Sequence, residues 1–520
     1  MAVEGTVRNT ELFVGLIAPI GVNLTSVCQA LKKGFTSVAY STELIRLTDK
    51  LSGAKPESDG LFERYESLIS AGNDLRRETV ADVFAYLAIQ ELFAKRQNEN
   101  WKVDDRRVTI LRQFKRPEEI DLLKNVYGNN IIFLSCHAPR ATRIKYFVDK
   151  FTSESRAGSR TYYESRALEL IAKDEHEADD PNGQRLLDTY SKADFVLDCS
   201  SPQALSASVE RFVEAFFGYP FISPSHDEYG AHMAHSASLR SADLSRQVGA
   251  AIFRETGEVV ALGCNEVPKF GGGTYWTDDP GDARDFRIGH DSNAKIKADL
   301  VNDTLVLLKA AGWTPPADPV KDPLSDGMIQ DLLEFGRVIH AEMNAICDAS
   351  RFGRSTAGAT LYCTTLPCHM CSRHIVASGI HRVVYLQPYH KSLARELYPD
   401  SIAFDDGDER SSKRVAFSSF TGVTPIAFQT VFSKGKRKDK AGASLDWVQS
   451  EAEPITSGTT DYLALEAVAL GQFARQTVAG PHLPRPQDRP ASSEGESQVP
   501  SSQPKQAPAR RSGRTRKSSA

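Results

Sequence analysis

His340-Ala-Glu342, then Thr360-Leu-Tyr-Cys-Thr-Thr365, then Pro367-Cys368-His-Met-Cys371 make up the run whose reading decides the fold. Apolar residues at helical spacing predict a helix over 328–350, and the apolar, β-branched run predicts a strand over 359–365. A second helix is expected over 369–378 and a second strand over 382–386, the alternation of an α/β unit. Cys368 and Cys371 stand three apart where strand gives way to helix, which turns both sulfurs to one side. The positive end of that helix favours their thiolate forms. Met343, Ile346 and the intervening alanines give the helix of His340 an apolar side to bury, with Glu342 beside the imidazole.

One imidazole and two thiolates are the protein's share of a catalytic zinc site, which takes three ligands from the chain and keeps a fourth position for water. Zinc held by His340, Cys368 and Cys371 is expected to bring the pKa of water down toward about 7. Glu342, a carboxylate that no structural metal knot needs, is the expected proton carrier. The opposing reading is a four-ligand structural site, for which His369, His374 and Cys363 are near enough in sequence to supply the last donor.

Toward the N-terminus, a helix is expected over 230–246 and a hairpin from strands over 249–253 and 258–264, joined through Thr256-Gly257. A long insertion then reaches residue 326, with Gly271-Gly-Gly273 and Pro315, Pro316, Pro319 and Pro323 in it. Pro, Ser and Gly between Pro220 and Gly230 break the pattern and place a domain boundary there. Upstream, an apolar strand over 12–17, a turn with Gly15, Pro19 and Gly21, and helical spacing over 24–31 form a βα opening. The runs over 130–135 and 194–198 read as buried parallel strands, and amphipathic helices are expected around 82–96 and 164–173. The expected class is therefore α/β, with a doubly wound domain over 1–225 and a second α/β domain over 226–445. A helical segment over 446–478 and a disordered basic tail over 479–520 complete the expected layout.

A chain of 520 residues is too long for one ordinary core, which agrees with two folded units. Its formal net charge of -4 offers no global attraction to polyanions, so any nucleic-acid contact has to be local. The eight cysteines are scattered, as in a reducing compartment. The first residues lack a basic stretch followed by an apolar one, and no long apolar run follows, so the expected location is cytoplasmic, away from the membrane. Residues 501–520 carry Lys505, Arg510, Arg511, Arg514, Arg516 and Lys517 and no acidic residue, which reads as a solvated tail or a weak RNA contact.

His-x-Glu with Pro-Cys-x-x-Cys is the signature of the zinc deaminases that act on nucleobases. Together with Ser245-Arg-Gln-Val-Gly-Ala250, Gly263-Cys-Asn265 and Thr360–Thr365, it makes residues 230–435 resemble the deoxycytidylate deaminase branch of the cytidine-deaminase-like superfamily. The resemblance implies a cytidine-deaminase-like α/β/α sandwich with a five-stranded sheet, a homo-oligomer, and attack at C4 of cytosine. Glu342 would then pass protons to ring N3 and to the departing ammonia. It carries Asn265 over as a sugar or base contact and Arg246 as a phosphate contact, although Cys264 stands where that family usually has an aromatic. Free-nucleoside enzymes typically have cysteine where His340 stands, so a nucleotide substrate is expected. Lys391 and Arg284 read equally well as phosphate partners or as solvated charges, and the insertion around 271–293 is expected to shape the pocket.

The whole layout resembles the bacterial anti-phage dCTP/dCMP deaminases, which implies that residues 1–225 form a P-loop-like, nucleotide-kinase-like domain. That resemblance implies conversion of dCTP and dCMP to dUTP and dUMP, depleting the pool that phage replication draws on. Gly15 and Gly21 are separated by five residues and followed by Val22-Asn23 in place of Lys-Ser/Thr, so ATP hydrolysis is not expected. Amides in the Gly15–Gly21 turn could still cradle the phosphate of a regulatory nucleotide, or the domain could take an RNA. Asp198 is placed like a Walker B acid, and a turn with no ligand is an equal reading. Two alternatives compete for the whole chain. A polynucleotide deaminase acting on tRNA or single-stranded DNA lacks support from any basic, aromatic-rich groove signal, and a non-catalytic RNA-binding module would have no use for the intact metal and acid set.

Overall fold

The computed structural model describes residues 11–51, 60–99, 101–102, 104–154, 159–175, 185–314, 327–389, 391–404, 413–456 and 461–478. The basic tail over 479–520 and the four prolines of the insertion lie outside them. Five parallel strands build the first sheet: β1 (Leu12–Ile17), β2 (Ser41–Arg46), β3 (Arg107–Phe114), β4 (Ile131–His137) and β5 (Phe195–Asp198). Around them run α1 (Leu24–Ser37), α2 (Leu61–Glu78), α3 (Val83–Asn98), α4 (Pro117–Tyr127), α5 (Arg140–Glu154), α6 (Arg160–Glu175), α7 (Leu186–Tyr190) and α8 (Pro202–Phe216). The strand order β5-β4-β1-β3-β2 puts β1 in the centre, where every residue is buried. Its alternation decides the two cores: Leu12, Val14 and Leu16 face α1 and α8, while Phe13 and Ile17 face α3 and α4.

The second sheet follows α9 (His226–Ser238). Its strands are β6 (Gly249–Phe253), β7 (Val259–Cys264), β8 (Thr360–Thr365), β9 (Arg382–Gln387), β10 (Ile402–Phe404) and β11 (Val415–Ser419), in the order β10-β11-β9-β8-β6-β7. β6 runs antiparallel to β7 and β8, and the rest pair in parallel. Between β7 and β8 lie α10 (Asp285–Ile288), α11 (Ser292–Ala310) and α12 (Ala341–Arg351); α13 (His369–Ala377) joins β8 to β9, and α14 (Ala394–Leu397) precedes β10. Ala250 and Ile252 of β6 pack toward α12, and Ala251 and Phe253 pack toward α9, so the two helices cover opposite faces.

The chain then returns to the first sheet. β12 (Gly422–Val423) pairs antiparallel with β5, α15 (Phe428–Phe432) packs against α8, and α16 (Tyr462–Val478) lies on α3 and α4. Glu466 of α16 accepts from Arg96 at 2.6 Å and from the Tyr127 hydroxyl at 2.9 Å, and Phe473 stacks on Tyr86 with ring centroids 4.7 Å apart. Residues 422–423 lie within the span expected for the second domain, yet they hydrogen-bond into the first sheet. Among the described residues, no helix is long and apolar enough to cross a membrane.

Four sequence expectations differ from this architecture. The helix expected over 230–246 begins at His226, because Ser225 and Glu228 form a capping box, and it ends at Ser238. The helix expected over 328–350 begins only at Ala341: Ile339 bridges to Glu266, with amide-to-carbonyl bonds of 3.1 and 3.3 Å, and so is held extended. The insertion carries a 19-residue helix, α11, capped by Asp291. The second sheet has six strands where the resemblance implied five, because β10 adds to the edge of β11.

Candidate active site

The ends of two helices and the sheet beneath them assemble the site. Gly263 of β7 makes this possible: a Cβ there would lie 2.2 Å from the Ala341 carbonyl and 2.5 Å from the Ala345 amide, so only glycine lets α12 press so close. Asn344 fastens the contact by donating to the Cys264 carbonyl at 2.9 Å. His340 and Cys368 are the N-cap residues of α12 and α13, and Cys371 lies in the first turn of α13. Both positive helix ends are thereby aimed at one point.

The His340 Nδ1 atom lies 3.4 Å from the Cys368 sulfur and 3.3 Å from the Cys371 sulfur. Donors bound to one tetrahedral zinc, at ordinary Zn–N and Zn–S lengths, stand about 3.6 Å apart, so the set is already close to coordinating geometry. Among the described residues the potential metal-binding group holds these three and includes none of His369, His374 and Cys363. Glu342 is 4% exposed, and its Oε2 accepts from the Cys371 thiol at 3.4 Å. A cavity of about 160 Å³ opens over His340, Glu342 and Cys368.

Charge at the site is tightly coupled. Hydrogen bonding from Cys371, and then from His340, holds the Cys368 thiol down to about 4. The same bond, together with burial, pushes Cys371 well up. His340 is raised, chiefly by its bond to Cys368. Burial, reinforced by the charge of Cys368, raises the Glu342 carboxyl, which brings it toward the range useful for taking and giving a proton.

Arg246 lines the cavity, its guanidinium 4.8 Å from the centre of the Tyr389 ring. Asn265 also lines it, but its side chain is engaged with backbone, accepting from Val248 at 2.7 Å and donating to the Arg246 carbonyl at 2.8 Å. Lys391 is exposed and ion-paired with Asp331, and Arg284 is buried against Asp282 at 2.9 Å; neither lines the cavity. Sequence reading missed Asp243 and Tyr389, which also line it. Asp243 had a local signal, since its carboxylate accepts from the Ser245 and Arg246 amides in a turn typical of aspartate, whereas Tyr389 arrives only through the sheet.

In the first sheet, Gly15 sits inside β1, where a Cβ would collide with the Phe133 ring at 2.4 Å. Gly21, at φ +89°, makes the turn into α1 beside Arg143. The neighbouring Ile20 amide donates to buried Asp174 at 2.7 Å, and Asn23 caps α1, so internal side chains take these turn donors. Asp174 in turn accepts from Lys115 at 2.6 Å. Asp198 turns its carboxylate to the Ser200 amide at 2.9 Å.

Residues 224–387 match the cytidine and deoxycytidylate deaminase zinc-binding region family. The deoxycytidylate deaminase of Saccharomyces cerevisiae is 31% identical over 175 residues, covering 33% of this chain and 40% of the yeast one. That of Enterobacteria phage T2 is 50% identical over 54 residues, 10% of this chain and 29% of the phage one, so this chain spans less than half the length of either relative. A crystal structure of the dCMP deaminase from the cyanophage S-TIM5 in apo form is 17% identical and covers 38% of this chain and 99% of that one, with a TM-score of 0.21. Residues 224–387 thus form a cytidine/deoxycytidylate deaminase-like, zinc-binding domain, and the chain has relatives among the deoxycytidylate deaminases.

Proposed function

We propose that the protein hydrolyses the C4 amine of a deoxycytidine nucleotide, dCMP or dCTP, releasing ammonia and leaving the deoxyuridine nucleotide. The observation that carries this reading is the buried Glu342 carboxyl set against the His340, Cys368 and Cys371 donors on the floor of a cavity. Zinc, when bound, supplies a water made acidic enough to attack at neutral pH. Glu342 would take one proton from the attacking water and pass it to ring N3, then take the second from the new C4 hydroxyl and pass it to the departing amine, a role favoured by the upward shift that burial gives its carboxyl. Arg246, held over Tyr389 at the cavity, is the cation best placed for a 5′-phosphate; Lys391 pairs with Asp331 at the surface, outside the cavity lining. Asn265 fixes the backbone of Arg246 and so acts as a positioning residue.

Purified protein is to be incubated with dCMP, dCTP, deoxycytidine and a cytosine-containing oligonucleotide, with and without a zinc chelator, and the products identified by mass spectrometry. Chelator-sensitive deamination of a free nucleotide is expected. Deamination of the oligonucleotide alone, or of none of the four, overturns the reading. The resemblance to anti-phage enzymes supports pool depletion during infection as the biological role. Cells expressing the wild type are then expected to resist phage better than cells expressing Glu342→Gln.

A further inference from the structure

We propose that the Lys391–Asp331 ion pair latches the insertion shut over the catalytic cavity, and that a nucleotide releases it by giving Lys391 a phosphate in place of the Asp331 carboxylate. The latch stands without the deaminase reading, whereas its release by substrate rests on that reading.

The cavity has a wall and a roof from different parts of the chain. Arg246, His340, Cys368 and Tyr389 stand at the ends of the second sheet and its helices, and Asp291, Asn293, Leu333 and Gly336 come from the insertion. The roof is stitched together internally: Asn293 donates to the Leu332 carbonyl at 2.9 Å and accepts from the Phe335 amide at 3.2 Å, and Lys297 donates to the Gln330 carbonyl at 2.9 Å. At its base it is tied to the core through Glu266, which bridges Ile339 and lies 3.6 Å from Arg284. Burial adds little hold, since only Val301 is buried among the 19 residues of α11. At the far side the roof meets the wall through Asp331 and Lys391. Asp331 precedes Leu333 by two residues and Lys391 follows Tyr389 by two, and both Leu333 and Tyr389 line the cavity. The charges of Lys391 and Asp331 both reach the Tyr389 hydroxyl, as does that of Arg246, so the pair spans the mouth beside the cation best placed for the phosphate.

Volume makes the latched form a closed one. Sites for small molecules run upward from about 300 Å³, whereas this cavity holds about 160 Å³, so the roof must lift for a whole nucleotide to enter. The latch is weak enough to allow it: its partners are 42% and 46% exposed, and such pairs shift an equilibrium by about fivefold or less. A phosphate monoester carries about −1.5 to −2 at neutral pH against the single charge of a carboxylate. Lys391 therefore exchanges Asp331 for the phosphate, which repels the displaced carboxylate and the roof with it. A nucleoside has nothing to offer Lys391 and must wait for spontaneous opening, so the exchange selects for nucleotides.

Steady-state deamination of dCMP and of deoxycytidine by the full-length, zinc-loaded protein tests the exchange in two variants. Asp331→Asn keeps Lys391 and removes its carboxylate, so kcat/KM for deoxycytidine is expected to rise about threefold to fivefold and KM for dCMP to fall. Lys391→Met removes latch and phosphate partner together: kcat/KM for deoxycytidine is expected to rise as much while that for dCMP falls, shrinking the preference for the nucleotide about tenfold or more. The latch is also read without catalysis, from the distance between nitroxide labels on exposed Cys347 and on Asn302→Cys of α11, in a Cys199→Ser background. Asp331→Asn is expected to shift that distance, as is dUMP added to protein with the latch intact; deoxyuridine is expected to leave it in place. An unaltered distance in Asp331→Asn overturns the latch. A distance that shifts equally with deoxyuridine and dUMP, or a deoxycytidine kcat/KM that fails to rise in either variant, overturns the exchange. A distance that shifts in Asp331→Asn in a protein that deaminates no nucleotide keeps the latch and refutes the proposed function.

Discussion

Two helices beside each sheet begin differently. In the first, α1 and α8 start at Asn23 and Ser201, whose side chains accept from the Ser26 amide at 3.2 Å and the Ala204 amide at 3.1 Å. In the second, α12 and α13 start at His340 and Cys368, and His340 makes no capping hydrogen bond at all. A good cap stabilises by about 1 kcal/mol, so the second sheet forgoes that contribution at the position where a ligand must project from a positive helix end. The same backbone device stabilises one region and arms the other.

The largest expected effect tests the armed side. Glu342→Gln keeps the shape and burial of the side chain but cannot carry a proton, so deamination is expected to fall about 10²–10⁴-fold. Zinc content, read by elemental analysis, should stay stoichiometric; an active variant would break the comparison at its root. Next comes the stabilised side, where Arg76 is 5% exposed and bonds Glu119 at 2.8 Å. Arg76→Met leaves a buried carboxylate without its cation and is expected to cost about 3–5 kcal/mol in urea unfolding, with zinc still bound to the other domain.

The caps themselves give the sharpest contrast, at a smaller scale. Asn23→Ala is expected to destabilise by about 1 kcal/mol, whereas His340→Asn, which installs a capping side chain, is expected to stabilise the zinc-free protein by about 0.5–1 kcal/mol while abolishing zinc uptake. Equal losses from both substitutions in the zinc-free protein would show that the N-cap of α12 was never forgone.

A pH profile supplies a further test of the stabilised side. Burial lowers His137 from 6.5 to about 4. The unfolded chain therefore binds the extra proton first as pH falls, and the stability His137 contributes is complete above 6.5 and lost progressively down through 4. Melting temperatures between these values should decline less steeply for His137→Gln than for the wild type.

Legibility in the sequence followed how local each signal was. β1, β4 and β5 are continuous apolar runs because both faces of a central parallel strand are buried, and all three were readable. β2, Ser-Thr-Glu-Leu-Ile-Arg, sits at the edge of the sheet, where polar residues meet solvent and no clean pattern survives. The helix start at Ala341 was misjudged because a bridge from Glu266, far away in sequence, holds Ile339 extended. Arg246 was found from its motif, whereas Tyr389 and Asp243 were not.

The sequence by itself determined the chemistry: one imidazole, two thiols and a carboxyl, at spacings that follow from helix and strand geometry alone. Only the tertiary structure decided which charges line the cavity: Arg246 does, whereas Lys391 pairs with Asp331 and Arg284 with Asp282 outside its lining. It also brought β12, α15 and α16 back onto the first sheet and its helices and placed a cavity between the sheets. The reason is physical: hydrogen-bond periodicity acts over a few residues, but ion pairing, burial and cavity walls are set by segments hundreds of residues apart, which meet only when the cores close.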